Sequence, residues 1–230
     1  SLTLRFPPFR GTIMLFKTGS SLRIFKIEKE ASILNNASEI CGEHVEKIIE
    51  KTHPEFVYFR ARAISAGDQG PVKDKPNPNG NGDYFPKEEL QKSYKTFVGR
   101  NLFVNHNSDD PRNAVGKVLD SYEVEDAESG EYYIECLGKI DYKAHPDIAR
   151  QVETGILDTV SMGCSCESST CSICGKTIYT EKDETCEHLA SGLGKNFDVN
   201  GEKKLCYSIN KGLTFNELSI VSVPADSAAK

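Results

Sequence analysis

The chain has 230 residues, enough for one domain with a real core, and a hydrophobic share of 38% with 27% charged residues, which excludes disordered and fibrous classes. A net charge of -6 argues against a nucleic-acid binder with a broad basic footprint. No apolar run approaches the roughly 18 residues that read as a membrane span, so no membrane partner is expected. Arg5, Pro7, Pro8 and Arg10 break up the first apolar stretch, which therefore lacks a signal-peptide core.

The first methionine is Met14, and Arg10-Gly11-Thr12-Ile13 before it can be encoded by a ribosome-binding site and spacer. Residues 1–13 are therefore read as a translated leader. Residues 36–52 carry Ile40, Val45, Ile48 and Ile49 at helical spacing and predict an amphipathic helix. Together residues 1–54 form a leader and helix, a candidate pro-segment, ahead of a main domain over residues 55–230. His44 and His53, in and beside that helix, are read as solvated.

Residues 55–65 alternate Val57, Phe59, Ala61 and Ala63 with positions that are polar apart from Tyr58, which predicts a half-buried strand. A Gly/Pro/Asn loop over 67–83 follows, then a helix over 86–97 with Pro86 in its first turn. Residues 101–105 predict a short buried strand ending at His106. Two alternating runs, 115–125 and 131–141, flank Glu128-Ser129-Gly130 and predict a β-hairpin. A short helix over 145–154 ends at Gly155, and His145 before Pro146 is read as structural. A strand over 156–163, a cysteine-rich insert over 164–194 and two strands near 205–209 and 214–223 complete the pattern. The fold class is α+β: a mostly antiparallel β-barrel or curled sheet, a few flanking helices and a small zinc-knuckle insert.

Two constellations carry chemistry. The first is Asn105-His106 with Val160-Ser161-Met162-Gly163, each at a predicted strand end. A serine hydroxyl needs an adjacent base, and imidazole titrates in the useful range. A glycine beside the serine allows close approach of backbone N–H groups to an oxyanion.

The second is Cys171-Ser172-Ile173-Cys174-Gly175-Lys176, followed by Cys186-Glu187-His188. Five of the eight cysteines lie between Cys164 and Cys186, a clustering that favours metal over a disulfide scaffold. Two thiolates two residues apart suit one tetrahedral ion, so Cys171, Cys174, Cys186 and His188 are read as ligands of a structural zinc ion, with Cys164 or Cys166 as substitutes. Four such ligands leave no open position for a catalytic water, and no His-Glu-x-x-His is present. Cys136 and Cys206 sit in strand patterns and are read as core thiols.

A wider series runs in order along the chain: Asn79-Gly80-Asn81-Gly82-Asp83-Tyr84-Phe85-Pro86, Ser93-Tyr94-Lys95-Thr96-Phe97, Asn105-His106, Gly116-Lys117-Val118, Lys139-Ile140-Asp141, Val160-Ser161-Met162-Gly163-Cys164, and Glu217-Leu218-Ser219-Ile220-Val221-Ser222-Val223-Pro224-Ala225. This set, over residues 55–228, resembles the prohead maturation proteases of tailed bacteriophages, which are related to the herpesvirus assemblin proteases. The resemblance implies a serine endopeptidase with Ser161 as nucleophile and His106 as general base. The third member is expected on the strand after the nucleophile: Glu217 is the chemical choice, with Ser219, Asp109 and Asp110 as rivals. Asp109 and Asp110 also suit a turn before Pro111.

The resemblance further implies substrates, the scaffold and major capsid proteins of a phage, with self-cleavage and homodimerisation as family traits. It implies a location in the cytoplasm of an infected bacterium, inside the assembling procapsid. Some phage proteases of this type carry a similar cysteine insert. Two non-enzymatic readings remain beside it: an inactive phage head or scaffold-associated protein on the same fold, and a zinc-knuckle interaction module.

Overall fold

The computed structural model describes residues 13–17, 22–26, 55–70, 72, 75–179 and 182–229. The expected leader over residues 1–13, apart from Ile13, the helix over 36–52, and His44 and His53 lie outside the described residues.

The described chain is mostly β with a few short helices, an α+β arrangement. Its main sheet has eight strands in the order β2-β1-β3-β7-β6-β5-β14-β8. These are β1 (Ile13–Lys17), β2 (Leu22–Lys26), β3 (Phe56–Ser65), β5 (Asn101–Val104), β6 (Gly116–Glu125), β7 (Tyr132–Asp141), β8 (Val160–Ser165) and β14 (Thr214–Ile220). Most pairs are antiparallel; β1 with β3 and β5 with β14 are parallel. A smaller sheet, ordered β10-β9-β13-β4, is built from β4 (Asp83–Tyr84), β9 (Ser168–Cys171), β10 (Thr177–Ile178) and β13 (Ser208–Lys211). A separate hairpin joins β11 (Asn196–Val199) to β12 (Glu202–Leu205). Among the described residues three α-helices accompany the sheets: α1 (Lys87–Ser93), α2 (Pro146–Glu153) and α3 (Glu187–Ser191). Among the described residues no helix is long and apolar enough to cross a membrane.

The main sheet curls into a half-barrel. Bulges break the register between Arg62 and Ile64 in β3 and between Val118 and Asp120 in β6, and a bulge bends its strand and deepens the local twist. The far strand β8 thereby returns against β3 without pairing to it. Gly138 in β7 makes room for a side chain of the paired strand β3. A Cβ there would lie 2.5 Å from the Phe59 ring, so the glycine is the space into which the ring packs.

β3 departs from its predicted half-burial. Tyr58 and Arg60, on the face expected to meet solvent, are as buried as Phe59. Ala149 and Val152 of α2 join Val57, Phe59 and Ala61 in the core, so the helix packs on the face that alternation predicts to be buried. The Arg60 guanidinium is buried against the Glu135 carboxylate, which keeps the charge paired.

The helix predicted over 86–97 is split. Pro86 is its N-cap, and α1 gives way after Ser93 to a 3-10 turn over Tyr94–Phe97. The Ser93 hydroxyl donates back to the Glu89 carbonyl at 2.7 Å, a bond that competes with continued α-helix. The turn delivers Phe97 onto Phe215, with ring centroids 3.9 Å apart and planes 7° off parallel.

The strand predicted over 156–163 begins later. Gly155 adopts φ +73°, and the Ile156 and Leu157 N–H groups both donate to the Gln151 carbonyl. Residues 155–157 thus close α2, and β8 starts at Val160 and runs on to Ser165, into the expected insert. The β11–β12 hairpin was not foreseen, although Asn200 (φ 56°) and Gly201 (φ 85°) form the Asn-Gly turn that typifies tight hairpins.

Candidate active site and candidate metal centre

Three neighbouring strands present the first site. β5 leads to Asn105 and His106, both in left-handed backbone with φ 52° and 56°. Two consecutive non-glycine residues in that region cost about 1 kcal/mol each or more and need external support. The support comes from β14. The Asn105 N–H donates to the Ile220 carbonyl at 2.9 Å, and the His106 N–H donates to Ser219 Oγ at 3.2 Å. The turn brings the imidazole back over β14.

There Glu217 and Ser219, two residues apart, share one face of the strand. His106 Nδ1 lies 2.8 Å from Glu217 Oε1, and Ser219 Oγ donates to Glu217 Oε2 at 2.5 Å. Both carboxylate oxygens are engaged, and Glu217 and Ser219 are buried while His106 is half exposed. A carboxylate only accepts, so Nδ1 is the ring nitrogen that donates to Glu217, which leaves Nε2 as the acceptor of a neutral imidazole.

β8 lies on the other side of β14. Ser161 is directly opposite Ser219 in the antiparallel register, and Gly163 is opposite Glu217. Directly opposed residues project from the same face, so Ser161 joins Ser219 and Glu217 there. Gly163 has a role that the oxyanion argument did not anticipate. A Cβ at this position would sit 2.5 Å from Glu217 Oε1, so the missing side chain is the space that holds the carboxylate beneath His106. Ser161 and His106 open into one cleft of about 500 Å³, also lined by Met162, Gly163 and Cys164.

The rivals for the third position fall elsewhere. Asp110 caps the short turn at Pro111–Asn113, accepting from the Arg112 backbone N–H, and pairs with the Arg112 side chain. Asp109 is exposed. Ser219 touches both the Glu217 carboxylate and the His106 backbone.

The second site gathers Cys171, Cys174, Cys186 and His188. Their ligand atoms all lie within 4.8 Å of one another, a cluster able to hold a metal ion. Cys171 ends β9, and the Gly175 N–H returns to its carbonyl at 3.0 Å while Gly175 adopts φ +72°. The Ile173 N–H points at Cys171 Sγ at 3.4 Å. Cys186 is the N-cap of α3, in extended backbone, and His188 lies in the first helical turn. That bend is what lets two residues with one between them face the same point. His188 Nδ1 is buried with no hydrogen-bond partner, an arrangement that suits a ring nitrogen meant for a ligand.

Burial raises the Cys186 thiol, but hydrogen bonds from the Leu189 N–H and Cys174 outweigh it and bring it down to about 7. Cys164 and Cys166 do not join the cluster; they line the cleft, where Cys166 Sγ is 3.4 Å from Ser169 Oγ. Cys136 is a core thiol, as read, pushed up by burial. Cys206 is also fully buried but borders the cluster, its thiol 3.4 Å from the His188 carbonyl.

No protein-family model, curated protein or solved structure matches the chain. The two sites are therefore read from their own chemistry.

Proposed function

We propose that the chain is a serine endopeptidase of the prohead maturation type, cleaving phage scaffold and capsid proteins. The observation that carries this reading is the His106 Nδ1–Glu217 Oε1 bond on the strand directly beside Ser161, in one shared cleft. In this reading Ser161 Oγ attacks the scissile carbonyl while His106 Nε2 takes its proton. Glu217 accepts from Nδ1–H throughout and stabilises the imidazolium. The tetrahedral intermediate collapses, the peptide C–N bond breaks, and His106 returns the proton to the leaving amine. Water, deprotonated by the same Nε2, then hydrolyses the acyl-enzyme and restores Ser161. Of the backbone N–H groups of Met162–Cys164, those of Met162 and Cys164 are the candidate oxyanion donors, because the Gly163 N–H faces β14 in the ladder. The phage setting rests on the ordered motif series over residues 55–228.

The metal is proposed to be zinc. Three thiolates and an imidazole suit its preference for sulfur and nitrogen. Tetrahedral zinc–thiolate bonds of about 2.3 Å imply ligand–ligand edges of about 3.8 Å, within the cluster's span. The ion would cross-link β9 to α3; it takes no part in the reaction.

Co-expression with the scaffold and major capsid proteins of the cognate phage tests the reading. Wild type processes them, and Ser161→Ala and His106→Ala each lower processing at least about 10³-fold. Equal processing by all three chains would remove Ser161 and His106 from the chemistry. A wild type without activity would move the assignment to a non-enzymatic head protein.

A further inference from the structure

The cleft beside Ser161 is partly filled by the chain itself. After β14 the backbone leaves the sheet, and residues Ala225–Ala229 return along the cleft wall. Three different walls hold this segment. The Gly80 N–H donates to the Ala225 carbonyl at 2.6 Å. The Ser65 hydroxyl, on β3, donates to Asp226 Oδ2 and is itself fixed by Arg62 Nε at 2.9 Å. The Val160 N–H, on β8, donates to the Ala229 carbonyl at 3.4 Å. Asp226 also folds the segment: its Oδ1 accepts from the Ala228 N–H and its carbonyl from the Ala229 N–H, both at 2.9 Å. Ala229 is fully buried.

The last wall contact identifies a groove. β8 is an end strand of the main sheet, so among the described residues one of its edges has no strand partner. In an antiparallel ladder alternate residues turn their N–H and C=O groups to opposite edges. The Thr159 carbonyl accepts from Val221, toward β14, whereas the Val160 N–H points away from β14 to Ala229. Met162 shares the outward orientation of Val160, and Ser161 lies between them. An extended peptide added to this edge would pair on both sides of Ser161, the geometry of strand addition.

We propose that substrate peptide docks as an added strand on the outer edge of β8, and that Ala225–Ala229 is a tethered occupant of that groove which substrate must displace. This rests on the protease reading for its consequence in catalysis, but not for binding. A tethered segment competes at an effective concentration of about millimolar, so it lowers apparent substrate affinity without touching the chemical step.

The test separates the two readings by measuring binding without turnover. A fluorescein-labelled peptide of sequence Ala-Asp-Ser-Ala-Ala, matching residues 225–229, is titrated by anisotropy into the full chain carrying Ser161→Ala. Binding tightens about tenfold when Asp226→Ala is added, the effect of losing one charge-assisted hydrogen bond. Gly80→Ala reaches the same state from outside the segment, because its Cβ would press on the Ala225 carbonyl at 3.1 Å. With Ser161 restored, both variants lower KM on processed substrate and leave kcat near wild type. Peptide binding unchanged in both folded variants overturns the proposal. Tighter peptide binding in a chain that never shows Ser161-dependent processing upholds the groove and sinks the protease reading.

Discussion

The His106–Glu217 site and the Cys/His cluster are held together by opposite means. The first stands on the three hydrogen-bonded strands β5, β14 and β8 at one end of the large sheet, with Leu102, Phe215, Leu218 and Ile220 fully or almost fully buried around it. Its side chains are placed by register, so the sheet builds them whether or not anything is bound. The second stands on a two-strand knuckle, a five-residue helix and a small hairpin, and most of its residues are exposed or half exposed. So little apolar surface cannot offset the entropy of ordering that many residues. The difference shows two ways of making a precise site: one uses a folded core as its scaffold, the other gathers its side chains with almost no core of its own.

Metal removal should widen that contrast most. A structural zinc site contributes on the order of 10 kcal/mol of apparent folding free energy in small domains. Chelation is expected to abolish hydrogen-exchange protection around β9, α3 and β11–β12, while β3, β6 and β7 stay protected. Full protection of the module after verified metal loss would break the comparison.

Gly163→Ala should damage the first site through geometry alone. The new methyl would displace the Glu217 carboxylate from His106. Activity is expected to fall about 10²-fold, with a stability loss of about 1–3 kcal/mol from overpacking. Steady-state kinetics and urea denaturation measure the two effects separately. An unimpaired variant would show that the carboxylate position is not held by this contact.

The smallest effect concerns the link between the regions. Burial raises the Glu89 carboxyl, but hydrogen bonds from Lys92 and the Gly212 N–H outweigh it and hold it below its usual 4.5. The second bond ties α1 to the turn between β13 of the small sheet and β14 of the large one. A carboxyl lowered on folding stabilises fully above its unfolded value and loses that contribution as pH falls through the folded one. Glu89→Gln should therefore cost about 1 kcal/mol at pH 7, with the gap to wild type closing below pH 4.5. Urea midpoints at several pH values test this; a gap that persists in acid would assign the loss to packing.

Much of the fold was legible because it rests on local signals. Alternation located β3, β6 and β7, Pro86 and Gly155 marked helix ends, and Cys-x-x-Cys-Gly-Lys marked the knuckle. The Asn200-Gly201 turn was equally local and was missed within a polar stretch. Other errors were not local. Nothing in residues 55–65 announces that Tyr58 and Arg60, on the second face of β3, are buried as well, and Arg60 finds Glu135 only through the β3–β7 pairing.

The sequence by itself determined which residues could do chemistry: a serine and a histidine at strand ends, a carboxylate two residues before a serine, and thiols spaced for one ion. Those are properties of side chains and of periodicity, both readable over a few neighbours. Only the tertiary structure decided that β14 lies between β5 and β8, bringing His106, Glu217 and Ser161 from distant parts of the chain onto one face. It also decided that Gly163 leaves room for Glu217 and that Ala225–Ala229 lies along the cleft. Strand order and register arise from burying a common core across long loops, and no local window of sequence contains that information.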